Sequence, residues 1–254
     1  MNDFDDSIRK AAQLLRNAHQ SIAFTGAGIS VESGIPPFRG ATGLWSRYDP
    51  IVLDIGYFFE YPKEAWSVIK EIFYDFFGQA RPNAAHQALA SLEKSGHVDA
   101  VITQNIDNLH QQAGSVKVHE YHGTSQQLLC SSCSAKTPAS RVDLTELPPK
   151  CEQCGGLLRP DFVFFGEPIP QQASDFSMQA ARTADLFLVI GTTGEIMPAS
   201  MIPRLAKENG AKIVEINPEP SNYTYGVTDV FIQEKATTAM TALLQAVQNE
   251  GGRV

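Results

Sequence analysis

Apolar positions recur along this chain with two periods. Between residues 6 and 18, Ile8, Ala11, Ala12, Leu14, Leu15 and Ala18 fall at helical spacing, which predicts an amphipathic helix. The second pattern is the short segment rich in apolar and β-branched residues. Ile22 to Phe24, Val98 to Thr103, Val116 to Tyr121, Asp185 to Ile190, Lys212 to Ile216 and Asp229 to Ile232 are each the right length for a buried strand. Helical patterns stand between or after them, at residues 86–95, 173–183, 198–209 and 236–249. Gly96 and Gly210 close two of these helices. Strands alternating with helices predict an α/β fold, a parallel doubly wound sheet with a ligand crevice at the strand ends.

Polar residues gather where those strands end. The first run leads into Gly26-Ala27-Gly28, a turn in which glycine allows close approach to a phosphate. Ser30 and Ser33 are then placed to bond the free N–H groups of a helix start, whose positive end favours an anion. The dinucleotide fingerprint is incomplete here. Val31 stands where a third glycine is expected, and Asp49 has the spacing of the ribose acid without a strand before it. The second run ends in Gln104-Asn105-Ile106-Asp107-Asn108-Leu109-His110, amides and a carboxylate suited to hydrogen bonding a sugar or amide. The third ends in His122-Gly123, and a histidine titrates near neutrality, as a general base should. Gly191-Thr192-Thr193-Gly194 and Asn217 close two later runs.

Two stretches break the alternation. Residues 41–80 are crowded with aromatic side chains from Trp45 to Phe77 and read as a small helical unit, whose aromatic residues form either its own core or the wall of a pocket. All four cysteines lie between 130 and 154, as Cys130-Ser-Ser-Cys133 and Cys151-Glu-Gln-Cys154. Two such knuckles match a zinc ribbon, and with all four thiolates on the metal no position stays open, so the zinc is expected to be structural. After the ribbon, Phe162 to Phe165 reads as a short strand that could accept a peptide by strand addition.

Composition narrows the function. A hydrophobic content of 43% supports a real core, and a net charge of −8 argues against a nucleic-acid surface. The ribbon does not alter that, since residues 124–160 carry four basic residues against three acidic. Residues 1–20 lack the apolar core of a signal peptide and no apolar run has membrane-spanning length, so a cytoplasmic protein without membrane contact is expected, with monomer as the default.

Taken together, these stretches resemble the sirtuins, NAD-dependent protein-lysine deacylases. The resemblance covers nearly the whole chain and rests on Gly26-Ala27-Gly28-Ile29-Ser30, Glu32-Ser33-Gly34-Ile35-Pro36, Phe38-Arg39-Gly40, Thr103-Gln104-Asn105-Ile106-Asp107, His122-Gly123, the four cysteines, Phe164-Phe165-Gly166-Glu167 and Asn217. It implies a Rossmann-like NAD-binding domain from residues 1–40, 83–123 and 161–254, with a helical module at 41–82 and a zinc-ribbon module at 124–160. It implies that Gly26, Ala27, Gly28, Phe38 and Arg39 line the NAD pocket, that Gln104, Asn105 and Asp107 hold nicotinamide and its ribose, and that Gly191, Thr192, Thr193, Asn217 and Ala236 lie along the ADP part. Val163 and Gly166 would pair with the substrate backbone, and Phe164 or Phe165 would stand near the lysine tunnel. Catalysis would fall to His122, Asn105 and Asp107. The acyl-amide oxygen of lysine would displace nicotinamide from NAD, His122 would take a proton from the ribose diol, and free lysine and O-acyl-ADP-ribose would leave.

The chain departs from the family pattern at Pro37, where Asp is usual, at Gly191-Thr192-Thr193-Gly194-Glu195, where Gly-Thr/Ser-Ser-Leu is usual so that a leucine is lost and Glu195 gained, and at Tyr121, where Leu is common. Family members that prefer acidic acyl groups carry a Tyr-x-x-Arg pair after Phe-Arg-Gly, whereas no arginine lies between Tyr48 and Ala80. A buried carboxylate without a cation is costly, so neutral acyl groups are expected. Two other functions use the same features: NAD cleavage or ADP-ribosyl transfer without deacylation, and a non-catalytic NAD- or acyl-lysine-binding module.

Overall fold

The structure is a computed structural model and describes residues 3–38 and 43–250. After helix α1 (Asp3–Asn17) comes strand β1 (Ser21–Thr25), buried at all five positions. A 3-10 helix spans Ala27–Ser33. Short 3-10 turns, α2 (Ile55–Glu60), α3 (Pro62–Ile69) and a π-helical turn at Lys70–Phe76 follow. Next are α4 (Ala84–Lys94), β2 (Ala100–Thr103), α5 (Leu109–Ala113), β3 (Val118–Glu120), β4 (Gly123–Cys130), β5 (Lys136–Pro138) and β6 (Leu158–Phe162). The chain ends with α6 (Gln171–Thr183), β7 (Leu186–Ile190), α7 (Met201–Glu208), β8 (Lys212–Asn217), β9 (Val230–Gln233) and α8 (Ala236–Glu250).

Six strands form one sheet in the order β3-β2-β1-β7-β8-β9, and each adjacent pair is parallel. Alternation along β1 explains its two-sided burial. Ala23 packs with α1, α4 and α8, while Ile22 and Phe24 pack with residues of α6 and α7 on the opposite face. Strand order reverses between β1 and β7, the place at the strand ends where sheets of this kind hold a ligand. This is the doubly wound architecture expected from the strand and helix pattern.

The second sheet is small and antiparallel, in the order β5-β4-β6. It shares an apolar cluster with the aromatic segment. Phe58, Trp66 and Phe73 pack with Leu128, Leu158, Phe162 and Phe164, and the Trp66 indole donates to Leu158 O at 2.8 Å.

Two local expectations are corrected. The glycine turn does not lead into a serine-capped helix, because the 3-10 helix starts at Gly26 with no side-chain cap. Ser33 instead accepts from Asn83 Nδ2, and Ser30 bonds elsewhere. The strand expected at 162–165 lies at Leu158–Phe162, where it pairs with β4, and Phe165 makes an isolated bridge to Asp54. Among the described residues no helix is long and apolar enough to cross a membrane.

Candidate active site

The loops leaving β1 and β7 touch each other. Gly26 N–H donates to Ile190 O at 3.0 Å, and Gly28 N–H to Gly191 O at 2.8 Å. A Cβ on Gly28 would fall 2.6 Å from Gly191 Cα, and Gly191 itself has φ +64°. The glycines are therefore needed first for contact between the two turns. Ala27 begins the 3-10 helix, and Glu32 in that helix accepts from Thr237 N–H and Oγ1, next to Ala236 at the start of α8. Phe38 lies 5.4 Å from the Trp45 ring, with Leu44 N–H bonded to Pro37 O just before it. Arg39 lies outside the described residues.

The end of β2 meets these loops. Gln104 N–H donates to Thr25 O at 2.9 Å, and its amide reaches Thr192 Oγ1 at 3.1 Å, tying β2 to the β7 loop. Asn105 Nδ2 donates to Gly26 O at 3.1 Å and to Ser30 Oγ at 3.2 Å. Ser30 Oγ in turn donates to Asp107 Oδ2 at 2.7 Å, and Asp107 Oδ1 accepts from Leu109 N–H at 3.0 Å. Burial raises the Asp107 pKa, and the bonds from Leu109 and Ser30 oppose that rise. Ser30 is thus the centre that holds Asn105 and Asp107 in one orientation. Sequence reading missed this role. A serine two residues after the second glycine was visible, but its partners lie 75 and 77 positions away.

His122 stands between β3 and β4. Its Nδ1 lies 2.9 Å from Gln104 O. A carbonyl oxygen can only accept, so Nδ1 carries the proton and Nε2 presents a lone pair. Burial lowers the His122 pKa, with the Gln104 carbonyl opposing, so the imidazole is neutral near pH 7. Gly123 after it has φ +72°, and a Cβ there would fall 2.8 Å from Phe162 Cα. Glycine at this position is therefore a steric requirement of β4–β6 pairing. On the far side of the sheet end, Asn217 Nδ2 donates to Thr192 O and to the buried Glu215, which also accepts from Ser221, Thr224 and Thr228. Thr193 O accepts from Asn222 N–H.

Behind the crevice lies a buried group that sequence reading passed over. Thr25 Oγ1 donates to Thr103 Oγ1 and lies 2.9 Å from His110 Nε2. The His86 and His110 rings meet edge-on at 4.9 Å. Burial pulls the His86 pKa down to about 4 and that of His110 well below the ordinary value. Both rings are neutral struts under the loop that carries Asp107.

Beside His122, Val163 N–H donates to His122 O at 2.9 Å. Glu167 pins the following turn by accepting from Phe164 N–H and from Arg159. The two phenylalanines separate: Phe164 is buried 5.0 Å from the Phe58 ring, whereas Phe165 is 48% exposed. Among the described residues, Val163 C=O and Gly166 N–H have no backbone partner.

At the ribbon, the sulfurs of Cys130, Cys133, Cys151 and Cys154 all lie within 4.8 Å of one another, with closest pairs at 3.5 and 3.8 Å. Four sulfurs about 2.3 Å from one ion in a tetrahedron stand roughly 3.8 Å apart, so the set fits zinc. Ser132 N–H and Gly156 N–H point at Cys130 and Cys154, as donors to thiolates should. Gln104, Asn105, Asp107, Thr192 and Asn217 supply three amides, a carboxylate and a hydroxyl at neighbouring strand ends, a donor set that fits the ribose and amide groups of a dinucleotide.

Comparison with known proteins agrees with this geometry. Residues 26–198 match the family model described as the Sir2 family. An NAD-dependent protein deacylase of Pyrobaculum aerophilum is 46% identical over 241 residues, covering 93% of this chain and 94% of that protein. A solved Sir2 homologue mutant in complex with ADP-ribose superposes with a TM-score of 0.92 at 36% identity, covering 96% of this chain and 98% of the other. A Sir2 mutant holding a deacetylated p53 peptide and 3′-O-acetyl-ADP-ribose superposes with a TM-score of 0.88 at 35% identity, covering 97% and 99%.

Proposed function

The chain belongs to the Sir2 family, and from that premise we propose that it is an NAD-dependent protein-lysine deacylase. The observation that carries this reading is the joined set of strand-end contacts: His122 Nδ1 bonds the carbonyl of Gln104, and the next residue, Asn105, is tied through Ser30 to Asp107. NAD, when bound, supplies the electrophilic ribosyl carbon, the nicotinamide leaving group and the ADP-ribose that accepts the acyl group.

The residues divide the remaining work. Gln104, Asn105 and Asp107 hold the nicotinamide ribose, with Ser30 keeping the last two aligned. Gly26, Ala27, Gly28, Phe38 and Arg39 enclose that half of the cofactor. Gly191, Thr192, Thr193, Asn217 and Ala236 line the other half. His122 takes a proton from a ribose hydroxyl at Nε2, a task that its fixed Nδ1–H donation to Gln104 prepares. Val163 and Gly166 pair with the substrate backbone, leaving acyl-lysine to enter beside Phe165. An amide oxygen is a weak nucleophile, so close orientation supplies much of the rate. The aromatic cluster excludes water that would otherwise hydrolyse the glycosidic bond.

The acyl group is neutral in this proposal. No arginine lies between Tyr48 and Ala80 to compensate a carboxylate, so acetyl and longer apolar chains are the substrates. The acidic charge of −8 supports a protein substrate over nucleic acid, and the enzyme works as a cytoplasmic monomer without membrane contact.

The test is incubation with NAD and acyl-lysine peptides, followed by mass spectrometry. Free lysine and O-acyl-ADP-ribose should form in equal amounts, faster with acetyl- than with succinyl-lysine. Nicotinamide release without acyl-ADP-ribose would instead mean NAD cleavage, and faster succinyl turnover would defeat the acyl assignment.

A further inference from the structure

Phe165, beside which acyl-lysine enters in the proposed reaction, also bounds a cleft to which that reaction assigns no role. Its N–H donates to Leu53 O at 2.7 Å, and its C=O accepts from Ile55 N–H at 3.2 Å. This bridge joins the segment 163–166 to the wall that carries Asp54. Phe165, Trp45, Ile51, Asp54, Tyr57 and Glu60 bound a cavity of about 860 Å³. Ile51 and Phe165 are each nearly half exposed, at 47% and 48%.

Two carboxylates stand among these apolar groups. Asp54 caps α2 through Oδ1, which accepts from Tyr57 N–H at 2.9 Å. Glu60 is in the last turn of α2, where helix carbonyls add negative potential. Glu60 meets the Tyr61 hydroxyl, but neither carboxylate has an ion-pair partner among the described residues, and no lysine or arginine is among the residues that bound the cleft. Aromatic faces beside unpaired carboxylates suit one kind of occupant, a cation on an aliphatic stem. The stem covers apolar surface, and the charged head meets the ring faces and the carboxylates. An acidic side chain would be repelled, and an apolar one would leave the half-buried Asp54 against hydrocarbon and the exposed Glu60 unanswered.

We infer that this cleft recognises a lysine or arginine close to the acyl-lysine in the substrate, so that the enzyme prefers basic sequence contexts. The inference rests on the deacylase reading and names the substrate class of the same site.

The experiment uses the full zinc-loaded chain with NAD and a set of acetyl-lysine peptides. Each carries arginine, lysine, norleucine or glutamate at one position, from three residues before the acetyl-lysine to three after. kcat/KM is measured relative to the norleucine peptide within each enzyme variant, at low and high salt. At the best position the basic peptides should be favoured about fivefold, mainly through KM, in line with a partly exposed ion pair plus ring contact. Salt should shrink that preference. Glu60→Gln should bring the ratio near one, and Glu60→Lys should shift it toward glutamate. Asp54→Asn, which keeps an acceptor for Tyr57 N–H, serves as a second variant and should also reduce the ratio. Equal kcat/KM for all peptides, or norleucine favoured over lysine, would overturn the inference and leave the deacylase reading standing. Failure to turn over every acetylated peptide would remove that reading, and this inference with it.

Discussion

At His122 the protonation state follows from two neighbours. The Gln104 carbonyl holds a proton on Nδ1, and burial disfavours a second proton on Nε2. In the proposed reaction the ring acts as a base above its pKa, which lies below the ordinary histidine value of 6.5. Turnover should fall on the acid side along a limb whose midpoint lies below 6.5, read as kcat/KM against pH. His122→Ala should remove that limb and lower kcat by about 10²-fold or more, the usual worth of a positioned base. A midpoint above 6.5 would contradict the burial argument. Asn105 and Asp107 could be picked out from their place after a strand. Their orientation could not, because it depends on Ser30, and that contact exists only once β1 and β2 pair in register.

At the scale of elements, the two glycine turns behave as one structure. Read along the chain, they are the ends of two separate strands, the first suited to close approach to a phosphate. Folded, they occupy each other's space, and Gly28→Ala would force Cβ against Gly191 backbone. Overpacking of this kind costs about 1–3 kcal/mol. The variant should melt earlier and bind NAD at least about tenfold more weakly, as read by calorimetry, since moving either turn reshapes the crevice. The ribbon gives a second element-scale prediction. Its apolar cluster includes Trp66 and Phe164, and β4 begins one residue after His122. Removing zinc with a chelator should therefore unfold β4–β6 and abolish deacylation, since metal binding in such sites is itself folding free energy. Circular dichroism and activity should change together, and full activity in metal-free protein would refute the link. The cysteine spacing made the metal legible from sequence. The shared core did not show there, because its halves are separated by the whole of α4, β2 and β3.

Across the whole molecule, His86, His110 and His122 all have pKa values lowered by burial, His86 to about 4. Each takes up a proton more readily when unfolded. The stability they provide is complete above 6.5 and is lost as pH falls from there toward the folded values, by up to about 1.4 kcal/mol per histidine per pH unit. Asp107 and Glu120, whose pKa values are raised by burial, oppose that loss in part, because they protonate earlier in the folded chain. Four histidines, with the partly buried His119 included, outweigh two such carboxyls, so the melting temperature should drop between pH 7 and pH 4.5, and His86→Gln should flatten the slope. The alternation of strand and helix, the zinc knuckles and the polar strand ends were written in the sequence, because period, ligand spacing and turn chemistry act over a few residues. The tertiary structure decided what those pieces do together: which turn fills which, that Ser30 aligns Asn105 with Asp107, that Phe164 goes inward while Phe165 faces out, and that two insertions close over one core. Each of these is a contact between segments far apart in the chain, so its energy appears only when the sheet has brought them side by side.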